Sequence, residues 1–131
     1  GEHGIEVGYH CHAGDFEKVN GTAPWGVIGK NTKPEVIMQI DTANASQGGA
    51  DPVAWIKEFP GRSKTVHLKD HGGETAVIGT GNVDFKAVIR ASRQVGGAEW
   101  FIIEEESKDP AGALERVAQS LENLRKILKG M

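Results

Sequence analysis

Apolar positions along the chain fall into two alternating kinds of segment. Four short runs, Ile5–His12, Val36–Asp41, Thr65–Asp70 and Trp100–Glu105, are rich in Val, Ile or aromatic residues, and each closes on polar, potentially reactive side chains. Their brevity and composition predict strands. Between them the apolar spacing changes to three and four, the spacing of a helix face. In ADPVAWIKEF, Asp51 stands as N-cap, Pro52 takes the first helical position, and Val53, Trp55, Ile56 and Phe59 share a face. In VDFKAVIRASRQVGG, Asp84 is the cap, Phe85, Val88, Ile89 and Ser92 form one stripe, and Gly96 is the expected stop. The longest periodic segment is DPAGALERVAQSLENLRKILKG, started by Asp109-Pro110 and ended by Gly130. Its stripe of Ala113, Leu114, Val117, Leu121, Leu124, Ile127 and Leu128 reads as core. A shorter helix is predicted over Ala23–Gly29.

The resulting order is β-α-β-α-β-α-β-α. Strands alternating with helices imply right-handed crossovers and a parallel sheet, hence an α/β fold. No linker or low-complexity segment interrupts it, so residues 1–131 are expected to form one domain. Two architectures accept four such units: a small open doubly wound sheet, and half of an eight-stranded barrel. The first expects a glycine-rich phosphate loop after the opening strand. That strand runs instead into HCHAGDF, and GTGN at Gly79–Asn82 does not directly follow a strand, so it reads as a turn.

Composition narrows the function classes. The formal net charge of −3 offers no electrostatic case for nucleic acid or an anionic membrane surface. No apolar run is long enough to span a bilayer, and no signal-peptide pattern opens the sequence. The single cysteine, Cys11, excludes an internal disulfide and suits a reducing compartment, the cytoplasm.

Chemistry gathers at the strand ends. In parallel α/β folds, side chains at the C-terminal ends of strands converge on one face. The four runs end with His10 and His12; with Asp41; with His67, Lys69 and Asp70; and with Glu104, Glu105 and Glu106. Strand alternation puts His10 with His12, His67 with Lys69, and Glu104 with Glu106 on shared faces. Two imidazoles, an aspartate and a glutamate make a mixed nitrogen and oxygen set suited to a divalent ion: Mn, Co, Zn, Fe or Mg. Each residue also has a plainer reading. A histidine at a strand end is commonly a satisfied polar group, Lys69 and Asp70 could form an ordinary ion pair, and Glu105 or Glu106 a solvated acidic turn. Arg62 is read as fixing a loop, Cys11 as packing, and Trp25, Trp55 and Trp100 as filling helix–sheet contacts.

The stretch MQIDTANASQGGADPVAWIKEFPGRSKTVHLKD resembles strands six and seven of sugar phosphate isomerases/epimerases in the xylose isomerase-like TIM barrel superfamily. GTGNVDFKAVIRASRQVGGAEWFIIEEE resembles the following unit, and GIEVGYHCHAGDF the fifth-strand pattern. The resemblance covers nearly the whole chain and implies the C-terminal half of a (β/α)8 barrel. It implies a divalent ion held by Asp41, His67 and Glu104 plus a ligand from the first strand, where His10 occupies a position at which many members carry Glu. It further implies proton transfer next to a carbonyl of a small carbohydrate, through a metal-stabilised enediolate. Glu104 or His10 would serve as base, with Lys69 offsetting negative charge. Other chemistries of the superfamily, a lyase or a hydrolase, use the same metal set, and a half-barrel that binds metal without turnover is the non-catalytic alternative. Cys11 stands where Asn is usual, Asp15 where Glu is, and Ala43 where Gly is. Four strands alone would expose both sheet edges and an inner face. The expectation is a homodimer that closes eight strands.

Overall fold

A computed structural model describes residues 3–72, 77–107 and 110–131. Four strands, β1 (Gly8–His10), β2 (Ile37–Asp41), β3 (Thr65–Leu68) and β4 (Trp100–Ile103), form one sheet in the order β1-β2-β3-β4. All neighbouring strands are parallel, with Tyr9 opposite Met38, Asp41 opposite His67, and His67 opposite Ile102. A doubly wound sheet reverses its strand order at a switch point. This one runs in chain order throughout, as consecutive strands of a barrel do.

Five helices connect or follow the strands: α1 (Pro24–Asn31), α2 (Thr42–Gln47), α3 (Pro52–Glu58), α4 (Phe85–Ala91) and α5 (Ala113–Lys129). Asp41, Asp51 and Asp84 each accept a backbone N–H in the first turn of α2, α3 and α4. Three strands are shorter than the apolar runs: β1 spans only Gly8–His10, β3 ends at Leu68 and β4 at Ile103, whereas β2 carries its ladder to Asp41. α2 was not expected; Asp41 caps it directly off β2, within a stretch of small residues that carries no apolar period. The helix expected to stop at Gly96 ends as α4 at Ala91 and continues as a π-helical turn, Ser92–Gly96. The stop is Gly97, whose φ of 71° only glycine adopts without strain. The predicted start of α5 at Asp109 lies outside the described residues, while Gly130 ends it as expected.

One sheet face carries the core. Met38, Ile40, Val66 and Leu68 pack with Ile56, Phe85, Val88, Ile89 and Leu124. Replacing fully buried Ile56 by Ala would cost about 2–5 kcal/mol through the cavity left behind. The α5 stripe is not core along its whole length. Leu124 is buried, but Leu114 is 83% exposed, and Val117 and Leu121 are open to solvent. Among the named elements α5 packs chiefly on α4 and β4, and its first turns are tied down through Arg116, which donates to Glu105, while Leu114 is left uncovered. Trp25 is buried against Phe16 as expected, whereas Trp100 sits on the opposite, open sheet face and is 66% exposed.

The end of the sheet where strands begin is fastened by charge. Arg62 is buried and donates to the carbonyls of Gly29 (2.5 Å) and Val36 (3.0 Å) and to Thr32 Oγ1 (2.7 Å). Its role is the loop-fixing one. Lys64 pairs with Glu6 and with Glu99 (3.9 Å), tying the entries of β1, β3 and β4 together.

Candidate active site

The open sheet face and the rim above it bring the predicted residues together. His10 ends β1, Asp41 ends β2, His67 lies in β3, and Glu104 follows β4. Each offers one ligand-capable atom, and these atoms all lie within 4.8 Å of one another. His67 Nδ1 and Glu104 Oε2 are 2.8 Å apart. The His10 ring lies 4.6 Å from that of His67, centroid to centroid. Its Nδ1 is 3.1 Å from Gln39 Oε1.

Asp41 is the centre of the cluster. It is fully buried; Oδ1 accepts the Asn44 N–H at 2.6 Å, while Oδ2 has no hydrogen-bond partner. Burial, aided by the neighbouring Glu104 carboxylate, raises its pKa to about 7. Burial acts to raise Glu104 as well, but the neighbouring Asp41 carboxyl and the hydrogen bond with His67 outweigh it and hold that group at about 2. Two carboxylates this close share one proton unless a cation replaces it. The unpartnered, buried Oδ2 is an acceptor suited to a cation. Two imidazoles and two carboxylates fit a borderline divalent ion. Burial, and then His67, lower the pKa of His10, which leaves its ring neutral near pH 7, the form a ligand requires.

Lys69 enters from the same rim. Its Nζ pairs with Glu106 and lies 3.5 Å from Asn44 Oδ1. Burial acts to lower its pKa, but Glu106, Asp41 and Glu104 outweigh it and keep it charged. The Lys69–Asp70 ion pair does not form. Asp70 points the other way and accepts four backbone N–H groups, from His71 (2.8 Å), Gly79 (2.8 Å), Gly81 (2.9 Å) and Val83 (3.2 Å). GTGN is thus the turn that folds back onto Asp70, and a side chain at residue 81 would collide with that carboxylate and the His71 carbonyl. Glu105 pairs with Arg116 at 2.7 Å, while Glu106 pairs with Lys69 and stays exposed to solvent. His12 is exposed at the edge, outside the ligand cluster. Cys11 is buried, with its thiol raised to about 12 by burial, a packing residue that accepts the Asp41 N–H at 3.0 Å. Gln39 and Thr65 were missed as neighbours of the site. Counting back by twos from Asp41 and His67 places both on the same face.

Four parallel strands in chain order, with their reactive groups at the C-terminal rim, define half of a β/α barrel. The chain belongs to the xylose isomerase-like TIM barrel family, whose match covers residues 1–127. It is similar to a sugar phosphate isomerase/epimerase from Parabacteroides distasonis of known structure, with 29% identity and a TM-score of 0.80 over 94% of this chain and 46% of the other. A xylose isomerase domain protein from Planctomyces limnophilus shares the fold at 19% identity, with a TM-score of 0.67 over 98% of this chain and 47% of the other. Inosose dehydratase from Lacticaseibacillus casei is 29% identical over 86% of this chain and 44% of its own length, and that from Clostridium tetani is 28% identical over the same shares. The chain therefore spans a little under half the length of the relatives it matches. Among the described residues no helix is long and apolar enough to cross a membrane.

Proposed function

We propose that this protein holds one divalent metal ion through His10, Asp41, His67 and Glu104 and removes a proton next to the carbonyl of a small carbohydrate. The observation that carries the reading is the convergence of four donor atoms, one per successive βα unit, within 4.8 Å around an unpartnered buried carboxylate oxygen. When bound, the ion supplies Lewis acidity that lowers the cost of an enediolate. The residues of the chain do the rest. Glu104 stays ionised at neutral pH and accepts the proton from carbon. The Lys69 ammonium, held by Glu106, offsets charge on the enediolate oxygen. Neutral His10 serves the site as a ligand rather than as a second base. Returning the proton to the adjacent carbon gives isomerisation; returning it from the opposite face gives epimerisation. A second reading, loss of water after the same first step, is favoured by the dehydratase relatives and by His10 standing where a second carboxylate would act.

A complete site requires a closed barrel, and the chain exposes the surfaces that closure would cover. These are Ile5 and Val7 beside β1, Trp100 and Ile102 on the open face, and Leu114 on α5. The proposed closure is a homodimer with its two-fold along the barrel axis. It sets β1 of one protomer beside β4 of its partner, keeps all eight strands parallel, and turns both rims to one mouth.

Metal analysis of protein purified without chelator, followed by solvent-deuterium exchange into a panel of ketoses and aldoses, tests the reading. Metal near one equivalent with deuterium incorporation supports it; an ultraviolet-absorbing enone product in place of an isomer selects the dehydratase form. Metal without exchange leaves a binding half-barrel. No metal, or metal content unchanged in Asp41→Ala and His67→Ala, defeats it.

A further inference from the structure

The histidine at position 10 poses a problem that a carboxylate does not. A carboxylate presents lone pairs on both oxygens, whereas a neutral imidazole carries one N–H and one lone pair, and only the nitrogen with the lone pair can ligate. Something must choose. The sheet supplies the means one rung below the ligand cluster. His10 pairs with Gln39 in the register of β1 and β2, and their side chains share the open face. His10 Nδ1 lies 3.1 Å from Gln39 Oε1, and Gln39 Nε2 donates to Thr65 Oγ1 at 2.7 Å. With its amide nitrogen spent on Thr65, Gln39 turns only an acceptor toward His10. The proton must then sit on Nδ1, which leaves Nε2 with the free lone pair.

We propose that Gln39, held by Thr65, is the positioning residue that fixes His10 in the Nδ1–H form and so makes Nε2 the ligating atom. The inference rests on the metal-binding reading above for its purpose, but the tautomer itself exists without the ion. All three residues come from adjacent strands, so the relay is set by backbone register rather than by a loop. Such outer partners orient an imidazole and raise its basicity, and losing one typically costs about 10- to 100-fold in metal affinity.

The test reads the tautomer directly. Long-range 15N–1H NMR of the metal-free protein at pH 8 is expected to show His10 protonated at Nδ1. In Gln39→Leu the ring should shift toward the Nε2–H form that predominates for a free imidazole, with Zn²⁺ affinity by calorimetry falling about 10- to 100-fold. Gln39→Glu, which can only accept, should keep the Nδ1–H form and wild-type or tighter Zn²⁺ binding; it also guards against a Gln39→Leu variant that fails to fold. An Nε2–H ring in the wild-type protein overturns the proposal, whether or not metal binds. An Nδ1–H ring that persists in Gln39→Leu overturns it as well. An Nδ1–H ring that depends on Gln39, in a protein that takes up no metal, upholds the positioning and defeats the metal reading instead.

Discussion

Asp41 carries the largest electrostatic tension at the scale of single residues. Its carboxyl keeps a proton up to about 7, whereas an unfolded chain releases it near 3.8. Its contribution to metal-free stability is therefore complete below about 4 and is lost as pH rises through about 7. Glu104 has the opposite sign. Held at about 2 against an ordinary 4.5, it contributes above pH 4.5, and that contribution is lost as pH falls through about 2. The metal-free protein should thus melt at lower temperature at pH 8 than at pH 5.5, and scanning calorimetry of Asp41→Asn should show that decline flattened. In the proposed site a divalent ion would take the place of the shared proton. Its affinity should rise about tenfold per pH unit below about 7, with release of one proton per ion, and level off above. Isothermal titration in buffers of different ionisation enthalpy counts that proton. His10→Ala should weaken binding, and His12→Ala, at an exposed edge position, should leave it unchanged.

Single elements show how much of this was legible beforehand. The strands, α3, α4 and the end of α5 follow from local apolar period and from caps at Asp51 and Asp84, signals that lie within a few residues of each other. The convergence of His10, Asp41, His67 and Glu104 was legible too, because the parallel βα order sends every strand end to one rim. α2 was not, since Thr42–Gln47 has no apolar stripe and owes its start to the Asp41 cap. The π turn after α4 was hidden because Ser92 continues the apolar spacing, and only its tertiary seat, buried among helices, breaks the period. Asp70 shows the same limit. Its adjacency to Lys69 suggested an ion pair, but strand alternation turns the two side chains apart, and the four amides that Asp70 accepts come from a loop up to 13 residues away. Removing one charged acceptor from four N–H donors is severe. Asp70→Ala should lower stability by about 3 kcal/mol or more in urea unfolding, with the loss concentrated in the segment after β3 by hydrogen exchange.

At the scale of the whole molecule, the described residues leave one sheet face uncovered and the terminal helix half covered, with Trp100 and Leu114 exposed. The homodimer proposed above would cover both. Light scattering coupled to size exclusion should return twice the 14.0 kDa chain mass at micromolar concentration. Trp100→Asp should shift that mass to the single-chain value without loss of the far-ultraviolet helical signal, because the residue contributes little to the packing of one protomer. A Tm that climbs with protein concentration would be the thermal counterpart.

Lys64 and Arg62 sit at the opposite end of the strands from every reactive group. Cohesion is concentrated where the strands enter, and chemistry where they leave. A lineage built on this plan is free to rewrite its exit loops, and with them whatever its rim receives, while inheriting its foundations intact.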